Sequence, residues 1–335
     1  MELSFAIVGC GRIAKRHATE IMKVGTLVAV CDTDASNAAE LATEYGVRMY
    51  LSLEEMLLKE HELDVVSICT PNGLHAAQAI KCLEANKHVI CEKPMCIHSM
   101  DARAMIAASI ESNRRLFIVK SARYNPLVIA LKNLIDEDEM GNIYSFHLNC
   151  SWNRSANYYL NSWRGTESLD GGTLYTQFSH YIDILLWLLG DYSTITGLRK
   201  NLHHLSSIEF EDTGAICLQM HSGAVGTIHY SVNAFALNHE ISLNIIAEKG
   251  TIHLGGEYMN KILYQQPALL DPGLTIHVKA ANDYGFYRGS TSNHQQVYEN
   301  IFKALSGEEH VVTDGVDALK TVVFIEEFYN KIKIS

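Results

Sequence analysis

An apolar run at residues 5–8 leads into Gly9-x-Gly11-x-x-Ala14, and an acid, Asp32, closes a second apolar run 18 residues beyond Ala14. Gly9 permits a tight turn. Gly11 lets backbone amides approach a pyrophosphate, and the small Ala14 allows a helix to pack closely on its strand. The amides of Arg12 and Ile13 open that helix, whose N-terminus favours negative charge. A carboxylate at Asp32 accepts hydrogen bonds from ribose hydroxyls and repels a 2′-phosphate. The pattern is that of a dinucleotide site, with NAD favoured over NADP. A glycine turn without a ligand is the alternative, and the strand before it and helix after it weigh against that.

Other groups could act on a ligand held there. Thr70-Pro71-Asn72 follows an apolar run and has His75 close behind, either at a ligand edge or as a capped turn. Glu92-Lys93-Pro94 follows the next run. Lys93 there can donate to a hydroxyl or carbonyl, and partial burial would bring its pKa towards a useful range. A solvated lysine at a strand end is the plainer reading. Further on, Asp170-Gly171-Gly172-Thr173 precedes an apolar helical stretch in which Thr176, His180 and Asp183 fall at i, i+4 and i+7. His180 needs a hydrogen-bond partner in such surroundings, and Asp183 lies within one turn; a satisfied core histidine is the alternative. Residues 151–165 gather two tryptophans, two tyrosines and two arginines. Arg154 and Arg164 could grip phosphate or carboxylate bidentately, or the cluster could be aromatic packing. Residues 282–289, with Arg288, read as another ligand-facing loop.

These groups need a scaffold that brings several strand ends to one edge. Residues 5–8, 27–31, 65–69, 88–91 and 116–120 read as buried strands, separated by helical spacing at 12–23, 34–45, 53–59, 75–85 and 100–112. Such alternation predicts an α/β domain over residues 1–122, a doubly wound parallel sheet with helices on both faces. From residue 143 the texture changes to long alternating stretches, 143–152, 215–220, 223–233, 241–248 and 251–254, which suit antiparallel pairing. Helices are expected at 127–135, 176–189, 293–305 and 316–332. Residues 123–335 are therefore expected to form an α+β domain with an open, mainly antiparallel sheet. An uncovered face of that sheet would be an apolar patch for a partner subunit.

Size and composition agree with two domains: 335 residues, 47% apolar and 19% charged, which is not a disordered profile. The net charge of −11 is uneven, with 13 basic and 15 acidic side chains in residues 1–120 against 14 and 23 in residues 121–335. No basic stripe exists, which argues against nucleic acid as a partner. An acidic ligand would need arginines placed locally. No run reaches the length of a membrane span and the chain enters a strand directly, so a cytoplasmic protein is expected. The eight cysteines lie mostly in apolar runs and read as buried, reduced thiols. Cys91 and Cys96 match no zinc or redox spacing, and no metal is expected.

Taken together, the glycine turn, Thr70-Pro71-Asn72, Glu92-Lys93-Pro94 and the Gly-Gly…His180-x-x-Asp183 helix resemble the glucose–fructose oxidoreductase/inositol dehydrogenase (Gfo/Idh/MocA) family. The match runs in family order over essentially the whole chain. It implies a Rossmann domain followed by a substrate-binding and oligomerisation domain, with Lys93 and His180 as active-site residues. It also implies that Thr70, Asn72, His75 and Glu92 face the cofactor and that Trp163, Arg164 and Gln177 lie near the nicotinamide. One departure is informative: the inositol branch has an aspartate four residues before the histidine, and this chain has Thr176, which counts against inositol. The run from Arg123-Tyr124-Asn125-Pro126 through CSWNR, SWRG, DGGTLYTQFSH and IEFEDTG is similar to UDP-N-acetylglucosaminuronate 3-dehydrogenases, bacterial enzymes of lipopolysaccharide and O-antigen sugar synthesis. The expectation is NAD-dependent oxidation of the 3-hydroxyl of a UDP-sugar acid. His180 or Lys93 would be the base and the other would bond the developing alkoxide, with Asp183 orienting His180. Arg154, Arg164, Thr176 and Arg288 would meet the substrate. A homo-oligomer, dimer or tetramer, is expected, and 2-oxoglutarate is a possible hydride acceptor. Another sugar or cyclitol dehydrogenase is the nearer alternative. A non-catalytic NAD or sugar sensor is the more distant one, and it has no need of both Lys93 and His180.

Overall fold

The computed structural model describes residues 3–285, 287–291, 293–308 and 314–334. The chain forms two compact units, Met1–Lys120 with His294–Val323, and Ser121–Asn293 with Phe324–Ser335. The expected boundary after residue 122 differs from this division, in which residues 294–308 and 314–323 belong to the first unit.

In the first unit, strands and helices alternate: β1 (Ser4–Val8), α1 (Ala14–Val24), β2 (Thr26–Cys31), α2 (Ala35–Tyr45), β3 (Arg48–Tyr50), α3 (Leu53–Lys59), β4 (Val65–Ile68), α4 (His75–Glu84), β5 (His88–Cys91), α5 (Ser99–Glu111) and β6 (Leu116–Ile118). The strands form one sheet in the order β3-β2-β1-β4-β5-β6, all pairs parallel. This is the doubly wound order in which strand sequence reverses at β1 and β4, the crevice where such sheets place ligands. The central strands β1 and β4 are rich in Val and Ile, as strands covered on both faces are: Val65, Val66 and Ile68 are fully buried. Helix starts follow local chemistry. The Asp34 side chain accepts from the Ser36 and Asn37 amides ahead of α2, and Ser52 accepts from the Glu55 amide ahead of α3. β3 has no counterpart among the expected strands, since two of its three residues are exposed and no apolar run marks it.

The second unit contains α6 (Pro126–Asp136), β7 (Ile143–Ser151), α7 (Ala156–Tyr159), α8 (Ser179–Leu189), β8 (Tyr192–Lys200), β9 (Thr213–Met220), β10 (Val225–Ser231), β11 (Glu240–Ala247), β12 (Thr251–Gly255), β13 (Lys261–Gln266), β14 (Ala281–Asp283) and β15 (Arg288–Thr291). Two further helices follow, α9 (His294–Leu305) in the first unit and α10 (Gly315–Lys331), which passes from the first unit to the second at Phe324. Seven strands make an open sheet in the order β13-β12-β11-β7-β10-β9-β8. Its pairs are antiparallel except β7 with β10, which run parallel. Strict alternation in β9, with Ile216, Leu218 and Met220 buried, turns one face to the core.

The other face differs from the apolar patch expected. Its centre is a polar lattice: His147 bonds Thr227, Asn149 bonds His229 and Glu240, and Thr213 bonds Ser231. Leu198, Val225, Ile246 and Tyr264 are exposed apolar side chains on β8, β10, β11 and β13 that accompany these groups. Seven cysteines are buried and Cys217, on the outward side of β9, is exposed; all eight are free thiols. Among the described residues no helix is long and apolar enough to cross a membrane.

Candidate functional site

Within the first unit, the end of β1 turns at Gly9 with φ of +91°, and a Cβ there would lie 2.7 Å from the Cys69 carbonyl carbon. The β1–α1 turn therefore presses on the end of β4, and no side chain fits between them. Gly11 is different: a Cβ would meet nothing within 4 Å, so the chain itself leaves that space open. Helix α1 starts with no side-chain cap and no acid in its first turn. A helix start of this kind favours an external anion. Asp32 is fixed by two backbone donors, the Cys10 amide on Oδ2 at 2.7 Å and the Asp34 amide on Oδ1 at 2.8 Å. Each carboxylate oxygen retains a second acceptor position, as recognition of a ribose diol requires. Beside Asp32, burial first and the carboxylate next push the Cys10 thiol up to about 12, so it stays protonated and inert.

The loops after β4 and β5 are tied together. His75 is buried, and its two ring nitrogens sit 2.8 Å from the Thr70 and Pro94 carbonyl oxygens. A neutral ring donates to one of these at a time, and burial, opposed by these two bonds, lowers its pKa. Thr70 Oγ1 donates to Gln78 at 2.5 Å, and Asn72 is buried. His75 thus acts as a brace between the two loops rather than as a surface group. Lys93 is half-buried at the rim beyond β5, and its amide donates to Glu92 Oε2 at 3.0 Å.

Glu92, expected at the cofactor, is the acceptor of a buried network. His17 Nε2 at 2.9 Å and His294 Nε2 at 3.2 Å both reach its Oε1, and the Tyr298 hydroxyl lies 2.7 Å from His17 Nδ1. Burial alone would raise the Glu92 carboxyl, but the two histidine bonds outweigh it and hold the group well below the usual range. The ligating atoms of His17, Glu92 and His294 lie within 4.8 Å of one another. Both imidazoles converge on one carboxylate oxygen, so the trio is satisfied as hydrogen bonds, with His294 Nδ1 left without a partner. Sequence reasoning did not single out His17 or Tyr298. The available signal was a polar residue on the buried stripe of each helix.

Within the second unit, a π-turn at Leu174–Phe178 precedes α8 and replaces the regular helix expected from residue 176. A wider turn of this kind changes the register of Thr176 relative to His180. Asp170, fully buried, accepts the Gly165 amide at 2.7 Å and, on its other oxygen, the Thr176 hydroxyl. A carboxylate is therefore present at Thr176 after all, brought from six residues earlier in the chain. His180 is buried on α8. Asp183, expected to orient it, has both oxygens engaged by Arg123, at 2.7 Å from Nε and 2.9 Å from Nη2. Arg123 comes from a short turn packed on α8 and also lies 5.0 Å above the Trp187 ring. The Asp183 charge thus meets a guanidinium that helical spacing alone could not foresee.

The arginines divide. Arg154 is only 2% exposed and is bonded within this unit. It donates to Gln177 Oε1 at 2.7 Å and to the Asn153 carbonyl and Asn238, among the rings of Trp152, Tyr158 and Tyr287. Through Nε it holds Gln177, whose amide in turn donates to the Tyr158 hydroxyl at 3.0 Å. Arg164 is half-buried, donates to the same hydroxyl at 2.9 Å and lies 4.7 Å over Trp163. Arg288 is 53% exposed, with loose pairs to Glu257 and Asp283 at 3.6 and 3.9 Å. Much of the aromatic cluster is core of this unit, as Trp152 packs on Phe178, Tyr181 and Tyr258. Phe286, in the loop expected at 282–289, lies outside the described residues.

Comparison with known proteins adds to this geometry. Residues 3–120 match the model of an oxidoreductase family NAD-binding Rossmann fold, and residues 128–253 match the GFO/IDH/MocA C-terminal domain. The WlbA dehydrogenase of Bordetella pertussis, solved in complex with NADH and UDP-GlcNAcA, superposes with a TM-score of 0.88 at 33% identity over 98% of this chain and 96% of that one. Levoglucosan dehydrogenase of Pseudarthrobacter phenanthrenivorans is 28% identical over 67% of this chain, the match spanning 63% of that relative's length. Inositol 2-dehydrogenase of Salmonella typhimurium is 27% identical over 76% of this chain and 74% of its own.

Proposed function

The chain belongs to the GFO/IDH/MocA oxidoreductase family, with an NAD-binding Rossmann fold as its first domain, and from that premise we propose that it oxidises a secondary alcohol of a nucleotide-linked sugar acid. The substrate in this reading is UDP-N-acetylglucosaminuronate, with its 3-hydroxyl converted to a ketone, as a step in making surface-polysaccharide sugars. The observation that carries it is the likeness over nearly the whole chain to the WlbA dehydrogenase crystallised with that compound.

NAD fits the residues present. Asp32 offers acceptors to a ribose, the uncapped start of α1 offers amides to phosphate, and the open space at Gly11 lets them approach. Bound there, NAD supplies the acceptor for a hydride. The protein supplies the proton chemistry. In the proposed reaction one of Lys93 and His180 takes the hydroxyl proton, and the other donates a hydrogen bond to the oxygen as negative charge develops on it. The Asp170–Thr176 pair stands where the inositol branch carries an aspartate, and it distinguishes this chain from that branch. Arg164 and Arg288, the more accessible arginines, are assigned to the substrate's anionic groups. A homo-oligomer formed over the open sheet face belongs to the same proposal. Its contacts would be the polar lattice of His147, Asn149, Thr227 and His229.

The curated relatives favour a second reading, a free cyclitol or anhydrosugar as substrate. The two separate in a turnover panel with NAD. UDP-N-acetylglucosaminuronate is expected to exceed myo-inositol and levoglucosan in kcat/KM by at least ~100-fold, because unpaired polar groups in a site built for a larger ligand penalise a smaller one. Preference for either small compound would reverse the assignment.

A further inference from the structure

We propose that Tyr329, working with Glu211, is a positioning residue that holds the π-turn ahead of His180. The inference rests on the reading of His180 as an active-site group. The π-turn starts where a helix leaves backbone N–H groups without partners, and Thr173 at its start provides no side-chain cap. The missing acceptor comes from the C-terminal helix. The Tyr329 hydroxyl accepts from the Leu174 amide at 2.9 Å and donates to Glu211 Oε1 at 2.6 Å. The same ring covers Gly172, where φ is +134° and a Cβ would lie 2.5 Å from the ring. Thr173 Oγ1 adds a 2.5 Å bond to the Glu211 carbonyl oxygen, so three successive residues are held by Tyr329 and Glu211.

Glu211 is built as a fixed anchor. It is fully buried, and its carboxylate also accepts from the Tyr230 hydroxyl at 3.1 Å and from Arg199 at 3.0 Å. Arg199 closes the arrangement: it lies 4.4 Å from the Tyr329 ring and donates to the Tyr329 and Ile332 carbonyl oxygens. A buried, paired and fully hydrogen-bonded carboxylate tolerates little displacement. A π-turn is uncommon and persists where its surroundings over-determine it. Relaxation to a regular helix would rotate following side chains by about 100°, the angle per residue of an α-helix. The Tyr329 clamp therefore fixes the direction in which His180 leaves α8.

Tyr329→Phe tests this, since it keeps the ring over Gly172 and deletes both hydrogen bonds. The expected result is a fall in kcat of about tenfold, equal to ~1.4 kcal/mol, with KM for NAD unchanged and faster amide hydrogen exchange across residues 171–178. His180→Ala runs in parallel. If His180→Ala is inactive while Tyr329→Phe keeps wild-type kcat and exchange, the clamp is refuted and the site reading stands. If His180→Ala keeps near-wild-type turnover, the site reading itself has failed. The exchange measurement needs no substrate, and unchanged protection at Leu174 overturns the clamp by itself. A parallel rise in KM for NAD would mark a general structural loss and would also contradict the proposal.

Discussion

Alanine at Lys93 or at His180 is expected to lower turnover by about 10²–10⁴-fold, the range removed with a positioned acid or base, while NAD remains bound. That corresponds to ~2.7–5.4 kcal/mol of transition-state stabilisation. The two positions are prepared differently. Lys93 stands at the rim of the parallel sheet with its amide held by Glu92, a carboxylate that His17 and His294 lock in place. His180 sits buried on α8, next to Asp183 and Arg123, which neutralise each other in a bidentate pair. In the proposed reaction, loss of either side chain would remove a donor or acceptor from the reacting oxygen without touching the glycine turn. Titration of NAD by fluorescence, run beside the kinetics, separates loss of chemistry from loss of cofactor. Near-normal turnover in both variants would remove Lys93 and His180 from the mechanism.

A comparably large effect is expected at the glycine turn, with a built-in contrast. Gly9→Ala puts a methyl 2.7 Å from the Cys69 carbonyl carbon and 2.8 Å from its oxygen, at a positive φ. The obstacle is backbone, so β4 and Thr70 must shift. Strain and overpacking together are expected to cost ~2–4 kcal/mol of stability, and NAD binding is lost with it. Gly11→Ala meets nothing within 4 Å in the protein. Its melting temperature should stay near wild type, yet NAD affinity should fall at least tenfold, ~1.4 kcal/mol, because the methyl fills space meant for the ligand. Equal melting and equal NAD affinity in Gly11→Ala would show that the dinucleotide does not pass over that residue.

Much of the first unit was legible because its determinants are local. Alternating buried strands and amphipathic helices state the parallel sheet, and the glycine spacing states the turn. What escaped depends on partners far apart in sequence. β3 is short and mostly exposed, and the parallel pairing of β7 with β10 is invisible to alternation, which reports a buried face and not strand direction. The stretch around residues 174–189 hides its π-turn, since side-chain spacing does not report a local change in helical pitch. Asp183 and Arg154 were recognised as important, yet each also has a partner that local spacing does not show. Asp183 pairs with Arg123, 60 residues away, and Arg154 with Gln177, 23 residues away. Asp170, read only as the start of a glycine turn, became the carboxylate beside Thr176. Residue type tells the charge that must be satisfied, but the fold decides what satisfies it.

The most direct test uses UDP-N-acetylglucosaminuronate carrying deuterium at carbon 3, incubated with the protein and NAD. Mass spectrometry would follow both products. The account predicts a sugar lighter by the deuterium and one hydrogen, a 3-ketone, with the deuterium recovered in the reduced nicotinamide. A ketone elsewhere on the sugar, deuterium retained at carbon 3, or no oxidation of this sugar while a free cyclitol reacts would contradict it.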